Sequence, residues 1–423
     1  MTCILELNDA DLTLYRGNEV LYRSPGIAVV LGKDVFFGED ALRLSRIHPR
    51  QTNQQYFTRL NGDPLAIPGE RARNHADLVY LHLLAFKPLI DAEGGEALLA
   101  VPGIWSADQL GVLLGVLQEA GIGVRGFVDS AVAATSTQEV AREAFFLDVM
   151  MQRAVITTLK VDAEVAKAGA QEVLECGLNR LLEGWINVVA DRFVRETRFD
   201  PLHAAATEQQ LFDQLYDWIH AGAQGSDLLV EIHHQEHTRR VELSRSLLED
   251  KAEQRFRQLS DVLPRGAQVL LSARSARLPG LTRALTALHM QAVPLPGDAL
   301  SRGCVDNLAH IVPADGELRL ITRLPHGRAA QAARQPEEPE APAETSQAAA
   351  ASLPTHLLQG HHAWPLTAAE LPLPVSQAES GFLLRAQPGT QLNGATLERD
   401  APLQPGDRIT VGGEEYLIIQ VQD

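Results

Sequence analysis

Residues 144–159 read Ala144-Phe145-Phe146-Leu147-Asp148-Val149-Met150-Met151-Gln152-Arg153-Ala154-Val155-Ile156-Thr157-Thr158-Leu159. The apolar run Ala144–Val149 and its partner Gln152–Leu159 predict two strands of a meander joined by a short turn. Working outward, the chain opens on a similar pattern: Ile4–Leu7, Leu12–Tyr15 and Glu19–Tyr22, broken at Asn8-Asp9 and at Arg16-Gly17-Asn18. A helix is expected near Ala76–Ile90, then a strand Ala97–Val101 closed by Pro102-Gly103. The next helix starts at Ser106, with Gln109 at capping-box spacing, and strand Gly123–Val128 follows. Beyond the second meander the pattern turns helical, from Gly177 to about Arg198 and from Thr207 to about His220. A hairpin, Leu228–His233 with Thr238–Leu243, leads to a helix ending near Leu259. Strand Gln268–Leu271 and helices from Pro279 and near Ala299–His310 close this part. Two meander-plus-helix halves in series suggest an internal duplication around a central cleft.

Those halves resemble the actin and seventy-kilodalton heat-shock chaperone superfamily over most of Ile4–Leu308, in order and local pattern. Gly38-Glu39-Asp40-Ala41 is similar to its Gly-x-x-Ala helix start, and His48-Pro49-Arg50-Gln51-Thr52 to its Asn-Pro-x-x-Thr segment. Phe57-Thr58-Arg59-Leu60-Asn61-Gly62 resembles the stretch that normally reads Lys-Arg-Leu-x-Gly. Val101-Pro102-Gly103 and Asp129-Ser130-Ala131-Val132-Ala133-Ala134 stand where the family has Val-Pro and Glu-Pro-x-Ala-Ala. Leu271-Ser272-Ala273-Arg274-Ser275-Ala276-Arg277-Leu278-Pro279-Gly280 is similar to the adenosine motif Gly-Gly-Ser-x-Arg-hydrophobic-Pro. Asp298-Ala299-Leu300-Ser301-Arg302-Gly303-Cys304 resembles the closing Ala-x-x-x-Gly-Ala helix. The resemblance implies a two-lobed α/β fold with duplicated ribonuclease-H-like halves.

It also implies a degenerate nucleotide cleft. The family's first phosphate loop, Asp-x-Gly-Thr, uses glycine to bring backbone N–H groups to phosphate. Here Glu6, Asn8 and Asp9 stand in that loop, and the Asp9 carboxylate adds negative charge. In the second loop Asp148 is kept, Met150, Met151 and Gln152 replace the glycines, and Val155 replaces the second Asp. Thr58 holds the catalytic lysine position and cannot stabilise phosphoryl charge. Ala273 and Arg274 replace the adenosine glycines, with Arg274 and Arg277 as candidate anion ligands and Arg277 read as structural. Met150-Met151 is read as core packing that also fills the phosphate position. No catalytic residue and no metal site is expected. The histidines His233, His234 and His237, and the pair His361-His362, have no ligand spacing. Ser130 lacks a Gly-x-Ser-x-Gly elbow, and Cys176 has no His or Asn partner pattern.

Composition agrees with a folded chain: of 423 residues, 45% are hydrophobic and 22% charged. The 54 acidic residues outnumber the 37 Lys and Arg, giving net charge −17, which speaks against nucleic acid as partner. Three scattered cysteines fit a reducing compartment, and no apolar stretch suits a membrane span, so a cytoplasmic protein without membrane insertion is expected. Residues 325–354 turn to Ala, Pro, Gln and Glu and read as a mobile linker between a body, 1–324, and a module, 355–423. The module's strand-like Gly381–Ala386, the Asn393-Gly394 turn and Leu403-Gln404-Pro405-Gly406-Asp407-Arg408-Ile409 before Glu415–Val421 resemble the end of a forkhead-associated domain. Such domains bind phosphothreonine through an early Gly-Arg and a Ser. The module has no Gly-Arg pair and no Ser before its His361-His362 pair, so a bare β-sandwich that binds protein is the expected reading over phosphopeptide recognition.

The expected function is a catalytically inactive pseudo-ATPase, a scaffold or regulatory subunit in a bacterial multiprotein assembly, with other proteins as partners and no cofactor. The alternative is an active chaperone-like or filament-forming protein using ATP with Mg, and a third class is phosphopeptide-directed signalling through the C-terminal module. From composition, a general protease should cut first between Ala329 and Ser352 and leave two stable fragments. Mass spectrometry of a time course checks this, and earlier loss of the body would contradict the boundary.

Overall fold

The computed structural model describes residues 2–221, 227–313 and 316–327. In the C-terminal part it describes residues 355–359, 362–367, 371–378, 381–387, 389–393, 395–397, 399–403, 407–411 and 414–419. The chain divides into two compact units, Met1–Glu337 and Glu338–Asp423. The expected linker lies almost wholly outside the described residues. Its first three residues do not belong to a linker, because Arg323–Pro325 is a strand and Gly327 donates its N–H to the Ser136 carbonyl at 2.7 Å.

The first unit is mixed α/β. It begins with β1 (Cys3–Glu6), β2 (Leu12–Arg16) and β3 (Glu19–Ser24). A small sheet follows, of β4 (Ala28–Leu31), β5 (Asp34–Phe37) and, after α1 (Gly38–Leu42), β6 (Thr52–Asn53). Then come α2 (Tyr56–Arg59), α3 (His75–Ala92), β7 (Glu96–Val101), α4 (Ala107–Glu119), β8 (Gly123–Asp129) and α5 (Ser130–Thr135). The second half runs through β9 (Glu143–Val149), β10 (Ala154–Val161), β11 (Glu164–Val173), α6 (Leu178–Thr197) and α7 (Ala205–His220). It continues with the hairpin β12 (Leu228–His234) and β13 (His237–Leu243), then α8 (Arg245–Phe256), β14 (Gln268–Leu271), α9 (Ala273–Ala276) and α10 (Leu281–Ala287). It ends with β15 (Gln291–Pro294), α11 (Ala299–Asp306), α12 (Leu308–Ile311), β16 (Leu320–Ile321) and β17 (Arg323–Pro325).

Two six-stranded sheets share one logic. One has the order β16-β8-β7-β1-β2-β3, the other β15-β14-β9-β10-β11-β17. In each, an antiparallel meander offers its first strand to a parallel neighbour, β1 to β7 and β9 to β14, and a second parallel strand follows. Parallel pairing needs a crossover, which α3 and α4 supply in the first half and α6 to α8 and α10 in the second. The tail then joins both sheets, β16 beside β8 and β17 beside β11.

Side-chain alternation sorts the cores. Leu5 and Leu99 point to a cluster shared with α3 and α4, while Ile4, Leu98 and Ala100 point the other way. That inner cluster is common to both sheets, since Phe146 and Leu270 join it, and α5 and α11 lie within it. Their crossing is so close that a Cβ at Gly303 would stand 1.8 Å from the Ala133 carbonyl oxygen, so only glycine fits.

Several expectations needed correction. β11 was not foreseen, because Glu164-Val165-Ala166-Lys167-Ala168-Gly169-Ala170 is locally helix-favouring and becomes a strand only between β10 and β17. β4 to β6 and β15 were also missed, and the helix expected from Pro279 begins at Leu281. The Ser106–Gln109 capping box is formed, with hydrogen bonds of 3.2 and 3.1 Å, and Asn74 with Asp77 makes another at α3.

In the second unit, β18 (His356–Gln359), β19 (His362–Pro365), β20 (Val375–Ala378), β21 (Gly381–Leu384) and β22 (Thr390–Leu392) are followed by β23 (Ala395–Thr396), β24 (Ala401–Pro402), β25 (Arg408–Val411) and β26 (Glu414–Ile419). They form sheets β19-β18-β26-β25-β22-β23 and β20-β21-β24 over one apolar cluster that includes Leu357, Leu384, Ile409 and Ile418.

One buried histidine gives the first unit a pH dependence. His82 on α3 is fully buried, 2.7 Å from Ser24 Oγ and 2.7 Å from Tyr56 Oη, and its ring stacks on Phe37 at 5.0 Å. Burial pushes its pKa down from 6.5 to about 3. Between those values the unfolded chain holds a proton that folded His82 lacks, so this residue's contribution to stability falls as pH falls. Urea unfolding of wild type and His82→Gln between pH 6.5 and 4 should show a slope flatter by up to about 1.4 kcal/mol per pH unit in the variant.

Candidate functional site

The turn after β1 and the turn after β9 meet at the junction of the two halves. Glu6 ends β1 and is 4% exposed; Asn8 and Asp9, each 1% exposed, make the turn into β2. Asp148 lies in β9 and not in the turn that follows it. Arg274 stands in α9, where the Ser272 hydroxyl caps the helix by accepting the Ser275 N–H at 3.2 Å. These segments are distant in sequence and close in space because β1 and β9 hold equivalent central positions in their sheets.

The Arg274 guanidinium donates to Glu6 Oε1 at 2.5 Å and to Asp148 Oδ2 at 3.1 Å, tying a residue of each sheet to one cation. The Asn8 amide donates to the same Asp148 oxygen at 2.8 Å and to the Val149 carbonyl at 3.2 Å. Ser272 donates to Asp148 Oδ1 at 2.5 Å, and Tyr15 donates to Glu6 Oε2 at 2.9 Å. Both carboxylates are therefore well supplied with donors, as buried charge requires. Burial raises the pKa of Glu6, opposed by Arg274. Burial works to lower that of Arg274, but Asp148 and Glu6 outweigh it and hold the guanidinium charged.

Asp9 makes a second link. Its Oδ1 accepts the Met151 N–H at 2.8 Å and its Oδ2 accepts the Thr58 hydroxyl at 3.0 Å. Burial raises the Asp9 pKa, and the Met151 N–H and Thr58 hydroxyl oppose that shift. Met150 and Met151 are each 1% exposed. Their carbonyls accept the N–H groups of Leu178 and Asn179 at the start of α6, each at 3.0 Å. A Cβ at Gly177 would stand 2.3 Å from the Gln152 carbonyl carbon, so this approach also needs glycine. A third link runs from Lys167 on β11, which donates to the Gly103 carbonyl and lies 3.4 Å from Asp129 Oδ2.

All nine residues singled out in the sequence lie at this junction: Glu6, Asn8, Asp148 and Arg274 in one network, Asp9, Thr58 and Met151 in another, Met150 in the turn between, and Ala273 on a cavity wall. Arg274, read as a candidate anion ligand, is instead held by two carboxylates. Tyr15, Ser272, Ser275 and Lys167 were missed as site residues. Only the Ser272–Ser275 spacing carried a local signal, that of a helix cap. Cavities of about 10, 20 and 40 Å³ flank the network, room for roughly one to three waters each. Among the described residues no group of three or more His, Cys, Asp or Glu is placed to hold a metal ion. Cys176 is buried, donates to the Arg255 carbonyl at 3.2 Å, and burial pushes its thiol up to about 12. No protein-family model matches the sequence, and no curated protein matches it.

Removing the shared cation should be costly. Arg274→Met would leave Glu6 and Asp148 buried without it, an expected loss of ~3–5 kcal/mol in urea unfolding at pH 7. Adding Glu6→Gln should restore part of that loss, and a double-mutant cycle measures the coupling.

Proposed function

We propose that this chain is a catalytically inactive relative of the actin and heat-shock ATPases, a two-lobed pseudo-ATPase that serves as a scaffold or regulatory subunit through contacts with other proteins. The observation that carries the reading is the Asp9–Met151 hydrogen bond. In an active phosphate loop, backbone N–H groups of the second turn would face the anion; here the Met151 N–H, 2.8 Å away, is donated to a carboxylate of the chain itself. An internal carboxylate that accepts this donor competes with any external phosphate for it. Arg274 is likewise committed to Glu6 and Asp148, and Thr58 donates its hydroxyl to Asp9. The matching strand orders of the two sheets support descent from a duplicated half.

The second unit suits an accessory binding role as a β-sandwich of the forkhead-associated kind. Asn393 takes a left-handed backbone, φ 52°, donates to Asp407 Oδ1 at 2.9 Å and accepts the Arg408 N–H at 2.9 Å. That side chain secures the approach of β25 to β22, which gives this turn a structural part.

The test is calorimetric titration with Mg-ATP, paired with thermal unfolding and a phosphate-release assay. No hydrolysis above background and no rise in Tm are expected. A nucleotide at a hundred times its Kd would stabilise the fold by ~2.7 kcal/mol, so binding would be visible. Turnover, or a clear Tm rise with Mg-ATP, would return the chain to the active class.

A further inference from the structure

We propose that Arg277, assisted by Arg23, forms a binding site for a small oxyanion in the cavity between β2, α9 and the start of α11. The 40 Å³ cavity has five charged side chains on its wall: Glu6, Asp11, Arg23, Arg274 and Arg277. Four are paired with one another, Glu6 with Arg274 at 2.5 Å and Asp11 with Arg23 at 3.5 Å. Arg277 is the remainder. Among the described residues no hydrogen bond or ion pair reaches its guanidinium, and it borders the 20 Å³ cavity as well.

No described protein group accepts from the donors of this half-buried guanidinium. Burial lowers its pKa, and the positive charges of Arg23 and Arg274 lower it further; nearby Asp11 opposes them without an ion-pair contact. An added negative charge would relieve that repulsion and fill the donor fork of Arg277. Arg23, whose side chain is 41% exposed, can turn from Asp11 toward the same ligand. Cavity size sets the ligand class. Room for about three waters matches a phosphate ion or the carboxylate end of a short acid. Leu295 and Leu300 give the far wall an apolar surface, compatible with a short carbon chain behind a carboxylate. The chain carries net charge −17, so diffuse attraction does not favour anions and saturable binding would report this site. The site lies apart from the Asp9–Met151 contact and does not depend on the pseudo-ATPase reading.

The experiment titrates the full chain with sodium phosphate and, separately, sodium acetate against sodium chloride at matched ionic strength. Binding is followed by calorimetry and by phosphorus-31 line broadening for phosphate. Saturable binding of either ion, with a Kd on the order of millimolar, is expected; which ion binds identifies the ligand type. Arg277→Gln should weaken binding at least about tenfold, Arg277→Lys should retain part of it, and Arg192→Gln, on the exposed side of α6, should change nothing. The proposal is overturned if neither ion binds beyond chloride, or if Arg277→Gln binds as the wild type does. Should Arg277→Gln fail to fold, the wild-type titration and Arg23→Gln decide, with several-fold weaker binding expected of the latter and unchanged binding counting against the site. Mg-ATP turnover measured on the same samples would overturn the pseudo-ATPase reading and leave the anion result intact.

Discussion

One guanidinium, that of Arg274, bonds to both halves of the first unit. Arg274 reaches Glu6 in one sheet and Asp148 in the other, and each carboxylate is completed by donors from nearby, Tyr15 for Glu6 and Asn8 with Ser272 for Asp148. Such a group is costly to desolvate, so its net contribution to stability is modest, while its geometry is demanding. Every partner must be present at once, or a buried charge is left without compensation. The relative position of β1, β9 and α9 is thereby specified by charge, and the apolar cluster around α5 and α11 supplies the bulk of the attraction.

The same junction is closely packed. The turn after β9 carries Met150 and Met151, both buried, and directs a backbone donor at Asp9. Lys167 adds a contact between β11 and the end of β7, beside Asp129 at the start of α5. Three links across one junction leave small cavities at its flanks.

The second unit follows a different economy. Its described strands are short, three to six residues in most cases, and gather over one apolar cluster. Register there depends on local polar contacts such as Asn393 with Asp407 and Arg408, which hold a left-handed turn where a bulkier residue would be strained. Short strands on a small core make the register sensitive to such turns.

Much of the fold was legible because alternation and helix caps are local. The meander β1 to β3, the strands β9 and β10, the hairpin β12–β13 and the box at Ser106 follow from neighbours within a few residues. The nine residues chosen by resemblance to a family pattern lie close together in the fold. Their pairing was not legible in the sequence. No local rule joins Glu6 to Arg274, 268 positions away, or Asp9 to the Met151 N–H, 142 away. β11 was hidden for the same reason: an alanine-rich stretch becomes a strand only when β10 and β17 offer it hydrogen-bond partners on both edges. The sequence by itself determined which segments are strands and helices wherever short-range periodicity is strong. Only the tertiary structure decided which charges meet, since a buried carboxylate takes its state from the donors that folding brings within hydrogen-bond reach.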